Sequence, residues 1–90
     1  MYKIFKYEIK ISDISYVELP KDSKILKYGE QNCSIYLWAI VDTEKELVNK
    51  RFHILGTGTA LPRSFIVNTN HCDTVFIGGF VWHIFEEKEV

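Results

Sequence analysis

Gly78-Gly79-Phe80-Val81-Trp82-His83-Ile84-Phe85-Glu86 is the stretch that decides the fold. A glycine pair suits a tight reversal with positive φ, and the run behind it is almost wholly apolar and aromatic. Together they describe a buried β-strand whose hairpin partner, Cys72 to Ile77, lies just before the turn. Along the strand His83 shares a face with Val81 and Phe85, while Trp82 shares the other with Phe80 and Ile84. Both faces are apolar, so both call for cover.

The segment Ser34 to Val41 has the same character. Ile35, Leu37, Ala39 and Val41 form one face and Tyr36, Trp38 and Ile40 the other, which predicts a central strand or one covered on both sides. Near the start, Phe5, Tyr7, Ile9 and Ile11 alternate with Lys6, Glu8 and Lys10, the pattern of a half-buried strand. Tyr2 and Ile4 fall in the opposite phase and predict a bulge or an aromatic second face. Shorter strands are expected at Tyr16 to Leu19 (closed by Pro20, which has no N–H for a ladder), at Ile25 to Glu30 and at Arg51 to Leu55. Lys21-Asp22-Ser23, Gln31-Asn32-Cys33 and Gly56-Thr57-Gly58-Thr59 read as turns, and Asp42 to Val48 as a loop or single helical turn. Residues 60–70, with Pro62 and Asn68-Thr69-Asn70, are the longest irregular stretch. The expectation is a single all-β domain over residues 1–90, mainly antiparallel, built as a small sandwich or partly open barrel. The alternative is an α+β fold with one short helix at 42–48 or 60–66.

A chain of 90 residues buries only about 60–65% of the surface that its unfolded form exposes. With 47% hydrophobic residues and 14% aromatic ones it has enough for a core and a surplus that predicts a homo-oligomer or a ligand groove. The net charge of −1 and a pI of about 6.3 argue against a duplex-nucleic-acid binder, whose domain is usually strongly basic. Two cysteines are too few for a secreted disulfide scaffold, and no apolar run approaches the length of a membrane span. These features predict a reduced, cytoplasmic protein.

The order of motifs resembles a family of small phage and prophage proteins. The residues that carry the resemblance are Lys3 and Lys6-Tyr7, Leu19-Pro20-Lys21-Asp22-Ser23-Lys24-Ile25-Leu26, Gln31-Asn32, Leu37-Trp38-Ala39-Ile40-Val41-Asp42, Arg51-Phe52 with Gly56-Thr57-Gly58, and Gly79 to Glu86. The match spans the full length and departs from the family at Asp22, where glycine is usual, and over residues 60–73. The resemblance implies a viral accessory protein in the cytoplasm of its host cell and brings no catalytic residues with it.

Gly56-Thr57-Gly58-Thr59 follows a strand, as a phosphate loop does, but Ala60-Leu61-Pro62 offers no helix and no Lys-Ser/Thr pair. The readings that remain are a plain glycine turn or an amide cradle for an anion, assisted by Lys50, Arg51 or Arg63. In His71-Cys72-Asp73 strand alternation puts His71 and Asp73 on one face and Cys72 on the other, with no nucleophile tied to the pair. Cys33 and Cys72 with two of His53, His71 and His83 would suit zinc chemically but lack two close ligand pairs, so no metal and no cofactor is assigned. The expected function is a non-enzymatic phage accessory protein that blunts a host defence, by capturing a nucleotide-like signal or docking on a defence protein. Bases would stack on Tyr36, Trp38, Phe65 or Trp82, and phosphates would meet Arg51, Arg63 or the amides of Gly56, Thr57, Gly58 and Thr59, with His83 in the core, at an interface or on the ligand. An assembly module working through protein contacts is the second expectation, and a small hydrolase using His71 or His83 the third.

Overall fold

The computed structural model describes residues 1–89. The elements in order are β1 (Tyr2–Ile9), β2 (Ser15–Pro20), β3 (Lys24–Gln31), β4 (Ser34–Asp42), β5 (Leu47–Gly56), α1 (Arg63–Asn68), β6 (Thr69–Ile77) and β7 (Phe80–Glu87). They form two antiparallel sheets, β1-β4-β3 and β2-β5-β7-β6. The all-β sandwich is therefore what the sequence predicts. The one short helix is an appendage, not a second layer.

One apolar layer joins the sheets. Ile35, Leu37, Ala39 and Val41 of β4 are fully buried, and Ile9, Val17, Leu19, Phe52, Ile54, Val75 and Ile84 complete the layer. The molecule measures 42 × 33 × 16 Å, and among the described residues only the short α1 lies over an outer side of the two sheets. Tyr2 and Ile4 accordingly point outwards. β1 pairs with β4 without interruption from Tyr2↔Asp42 to Ile9↔Ile35, so the outer face, not a bulge, accounts for their phase.

Several strands differ from their expected course. β1 runs from Tyr2 to Ile9, so Ile11 lies in the bend that follows it and not in the strand. β5 begins at Leu47, because residues 47–50 pair with Pro20 to Val17 of β2, and this pairing outweighs the helix formers of the preceding charged run. β3 carries a bulge between Ile25 and Lys27. β6 begins at Thr69 and has a bulge between His71 and Asp73. That bulge overturns the expected facing of His71 and Asp73. His71 pairs with Phe85 on the outside, and Asp73 pairs with the fully buried Ile84 on the inside. An extra residue shifts the alternation by one, so the two side chains lie on opposite faces.

Turn chemistry explains the hairpins. Gly78 has φ 58°, at the first of the two loop residues between β6 and β7. Asn32 and Cys33 both have positive φ, 53° and 65°, the requirement of a type I′ turn between β3 and β4. Asp22 has φ 62°, a left-handed conformation in the turn between β2 and β3. Its carboxylate accepts a bond from Lys45 Nζ at 2.9 Å, and that partner holds its pKa below the ordinary range.

The inner face is polar at one end. Lys50 Nζ and Glu86 Oε1 pair at 2.6 Å in a half-buried position, with Tyr28 and Cys72 close by. Burial pushes both the Tyr28 hydroxyl and the Cys72 thiol up; the thiol raises the hydroxyl further, while the hydrogen bond from Tyr28 offsets part of the thiol's rise. Both groups keep their protons to higher pH in the folded state than in the unfolded chain. The stability this contributes is complete below the unfolded thiol's range and is lost as pH rises from about 8.5. The melting temperature is expected to fall from about pH 8.5 through Cys72 and to go on falling above about pH 10 through Tyr28. Tyr28→Phe should be shallower only above about pH 10; equal slopes there would contradict a buried Tyr28 hydroxyl. At the β3–β4 turn, Cys33→Gly relieves a left-handed non-glycine residue and is expected to stabilise by about 1 kcal/mol, read by urea denaturation. A loss of stability in that variant would contradict the turn assignment.

Candidate functional site

The outer face of the β2-β5-β7-β6 sheet gathers all three histidines of the chain. Alternation with the buried Phe52 and Ile54 sends His53 outwards from β5, and alternation with Ile84 sends His83 and Phe85 outwards from β7. The bulge in β6 does the same for His71 and for Thr74, which pairs with His83. α1 lies over this face through one side chain. The Phe65 ring sits edge-on to both His53 and Phe85, with centroids 5.1 Å away in each case. His71 stands 5.3 Å from Phe85 and 6.4 Å from His83.

α1 has only six residues, none of them buried, and no side-chain cap at Pro62. A helix that short is marginal alone. Its anchors are the half-buried Phe65 and the bond that Thr69 Oγ1 donates to Phe65 O at 2.7 Å. Pro62 suits the entry, since its missing N–H would have no partner in a first turn.

A chain of hydrogen bonds runs from the turn after β5 across β7 to β6. Thr57 Oγ1 and His83 Nε2 are joined at 2.8 Å, His83 Nδ1 and Thr74 Oγ1 at 3.0 Å, and Thr74 Oγ1 and His71 Nε2 at 3.0 Å. A neutral imidazole has one N–H and one lone pair, so the two hydroxyls meet His83 in opposite senses. Thr74 has one proton to give, so it can donate to only one of the two histidines, and where it does so it accepts from the other. The chain thus runs in one direction or the reverse, and reversal changes Thr57 from a donor to an acceptor towards its open side. His53 stands outside it. Its Nδ1 faces Asp13 O at 2.8 Å, and a carbonyl only accepts, which fixes the N–H on Nδ1.

Beside Thr57 lies a shallow cavity of about 180 Å³, lined by Leu55, Gly56, Thr57, Gly58, Thr59, Leu61, His83 and Phe85. Its walls are Leu55, Leu61 and Phe85, and its polar end is the Thr57–His83 pair. Thr59 N bonds Gly56 O at 3.3 Å, so one amide of the loop is spent on the turn itself. Gly58 has φ 94° with open space around it. A larger hollow of about 380 Å³ sits at the other end of β5, bounded by Pro20, Lys21, Asp22, Ser23, Val48, Asn49, Lys50 and Glu89. It holds no aromatic ring and no histidine, so the chemistry gathers elsewhere.

The structure therefore brings together Gly56, Thr57, Gly58, Thr59 and His83, with Phe65 one ring away behind Phe85. Arg63 opens α1 and is exposed, but it does not line the cavity. Arg51 is not part of the group. It lies five residues before the loop on β5, over Tyr16, and its Nε is 3.0 Å from Glu87 Oε2, an ionic contact without the angle of a hydrogen bond. Trp82 faces inwards against the core with Phe80 stacked on it, and Trp38 is on the other sheet. Cys33 is exposed at a hairpin turn and Cys72 lies between the sheets, far from one another in the fold. Among the described residues no group of three or more His, Cys, Asp or Glu is placed to hold a metal, and no helix is long and apolar enough to cross a membrane.

His53, His71, Thr74 and Phe85 belong to the site without having been singled out for it. The phase of Phe85 with His83 was readable; the position of His71 was not, because it depends on the bulge. Valine has the shape of threonine without the hydroxyl, so Thr74→Val should disturb the ring-nitrogen NMR signals of His71 and His83 together and leave His53 unchanged. If only one of the two responds, the chain is not continuous. Phe65→Ala should also release α1, seen as fast amide exchange from Phe65 to Asn68 with the sheets still protected.

A family described as Domain of unknown function (DUF7352) matches residues 1–90. No curated protein and no solved structure matches the chain.

Proposed function

We propose, for a chain that belongs to the family described as Domain of unknown function (DUF7352) and so takes no activity from it, a non-catalytic binding role centred on the Thr57–His83 cavity. The observation that supports this reading is the convergence of the Gly56–Thr59 turn, His83 and the Phe65–Phe85 pair on one outer face beside an apolar recess. Protein scaffolds commonly recognise small ligands with an apolar wall and a few oriented polar groups. Here the wall suits a flat ring, and Thr57 can present either a donor or an acceptor to its edge. Arg63 and the free amides of the turn are the groups that would meet an anionic substituent.

The ligand we propose is a nucleotide-like signal, with the protein acting as a phage accessory factor that sequesters it from a host defence. The full-length resemblance to small phage and prophage proteins supports that setting. The case against catalysis is local. Behind a catalytic histidine a carboxylate usually stabilises the imidazolium that forms; behind His83 Nδ1 there is a threonine hydroxyl. In a homo-oligomer, which the proposal includes, a second copy would close the open side of the cavity.

A second reading, an assembly module working through protein contacts, is favoured by the exposure of Phe76 and Phe80 at the β6–β7 tip, 69% and 67%. Calorimetric titration with a panel of cyclic and linear nucleotides separates the two. The expected result is saturable binding that weakens at least tenfold in Thr57→Val. No heat across the panel would sink the signal-capture reading and leave the assembly module.

A further inference from the structure

The outer face of the β1-β4-β3 sheet plays no part in the site on the other sheet, and its content is fixed by register. Lys6, Trp38 and Lys27 stand side by side across the three strands. On one side of that row come Ile4, Ile40 and Lys24, and on the other Glu8, Tyr36 and Gly29. All are on the outside because the alternate residues Leu37, Ala39 and Val41 are fully buried. The result is an apolar and aromatic ridge along β4 with lysines on both flanks.

Details of packing strengthen this description. Lys6 Nζ lies 4.6 Å over the Tyr36 ring and donates to Gln31 Oε1 at 2.8 Å, so a cation already rests on an aromatic face. Tyr36 and Trp38 are neighbours, with centroids 6.1 Å away from each other. The indole of Trp38 and the stem of Lys27 meet over Gly29, each 3.5–3.6 Å from the place a Cβ would take there. Tyr2 and Ile4 extend the ridge and are 73% and 63% exposed. Two acids share the face, Glu8 and Asp42, and Asp42 is engaged by the N-terminal ammonium at 3.3 Å. The face is thus locally cationic on a chain whose net charge is −1.

We infer that this face is a platform for single-stranded nucleic acid, with a base stacked on Trp38 and phosphates held by Lys6, Lys24 and Lys27. Aromatic side chains beside a cationic track are what an unpaired strand needs, because every base has a face to stack and every link carries a charge. A duplex hides its base faces, and a flat sheet has nothing to insert in its groove. A second copy fits poorly, since two-fold packing on this face sets the same lysines against their symmetry mates.

The test is fluorescence anisotropy of end-labelled thymidine and uridine 12-mers with the full chain over a range of salt. Saturable binding is expected, with a log–log salt slope of about −2 for three phosphate contacts. Trp38→Ala should weaken it at least about fivefold. Because Trp38 is half-buried, Lys27→Gln, at an exposed position, gives an independent readout: the slope should lose about 0.7. Thr57→Val should leave this binding unchanged, so the result stands apart from the cavity reading. The inference fails if no binding is seen at low salt, or if Trp38→Ala and Lys27→Gln bind as the parent does. It fails equally if duplexes bind as tightly, or if sedimentation shows a dimer that Trp38→Ala dissociates.

Discussion

Ile35, Leu37, Ala39 and Val41 point between the sheets and meet Phe52, Ile54 and Ile84 there. Once those residues are committed to the inside, strand alternation leaves no choice about their neighbours. Tyr36, Trp38 and Ile40 must face outwards from β4, and His53, His83 and Phe85 from the other sheet. A chain this short has no third layer to spend on them. The single shared core is therefore the reason for two outer surfaces rich in side chains that usually have partners. The same constraint protects both surfaces, because slipping any central strand by one residue would expose the whole inner set.

Local departures from alternation then decide what the histidine face contains. Without the bulge in β6, His71 and Thr74 could not both face outwards, since they are an odd number of residues apart. The extra residue is taken up at Cys72, which packs against the core with Tyr28 near it. One irregularity thus puts a thiol in a half-buried place and completes the Thr57–His83–Thr74–His71 chain. The short helix depends on the same face, for Phe65 rests on His53 and Phe85 and α1 has no buried residue of its own.

Much of this was legible beforehand because it is periodic. The two faces of β4 and β7 follow from counting by two, and Gly78-Gly79 and Asn32 mark reversals through the sign of φ that they accept. Asp22 was read only as a departure in a turn, and its left-handed backbone was not foreseen. What could not be read is what depends on pairing partners. Leu47 to Lys50 became strand only because β2 lies beside it, against the preference of the charged run before it. His71 was misjudged because a bulge has no composition of its own. Arg51 looked close to Gly56 in sequence, but extended chain advances about 3.3 Å per residue, and Glu87 is nearer.

The two outer faces differ in how their polar groups are used, and this bears on what each can bind. On the histidine face the ring nitrogens of His83 are both already bonded, and Thr74 bridges to His71, so a ligand there must compete with or extend an existing network. Such a network favours discrimination, because a mismatched ligand leaves a donor facing a donor. On the other face Lys27 stands beside Trp38 and Lys24 beside Ile40, both exposed and without an acidic partner among the described residues, while Lys6 is tied to Gln31. Mobile lysines contribute attraction without fixed geometry and accept any phosphate chain that passes. Sequence-tolerant binding and selective binding ask opposite things of a surface. The alternation of two sheets around one core lets a single small domain present both.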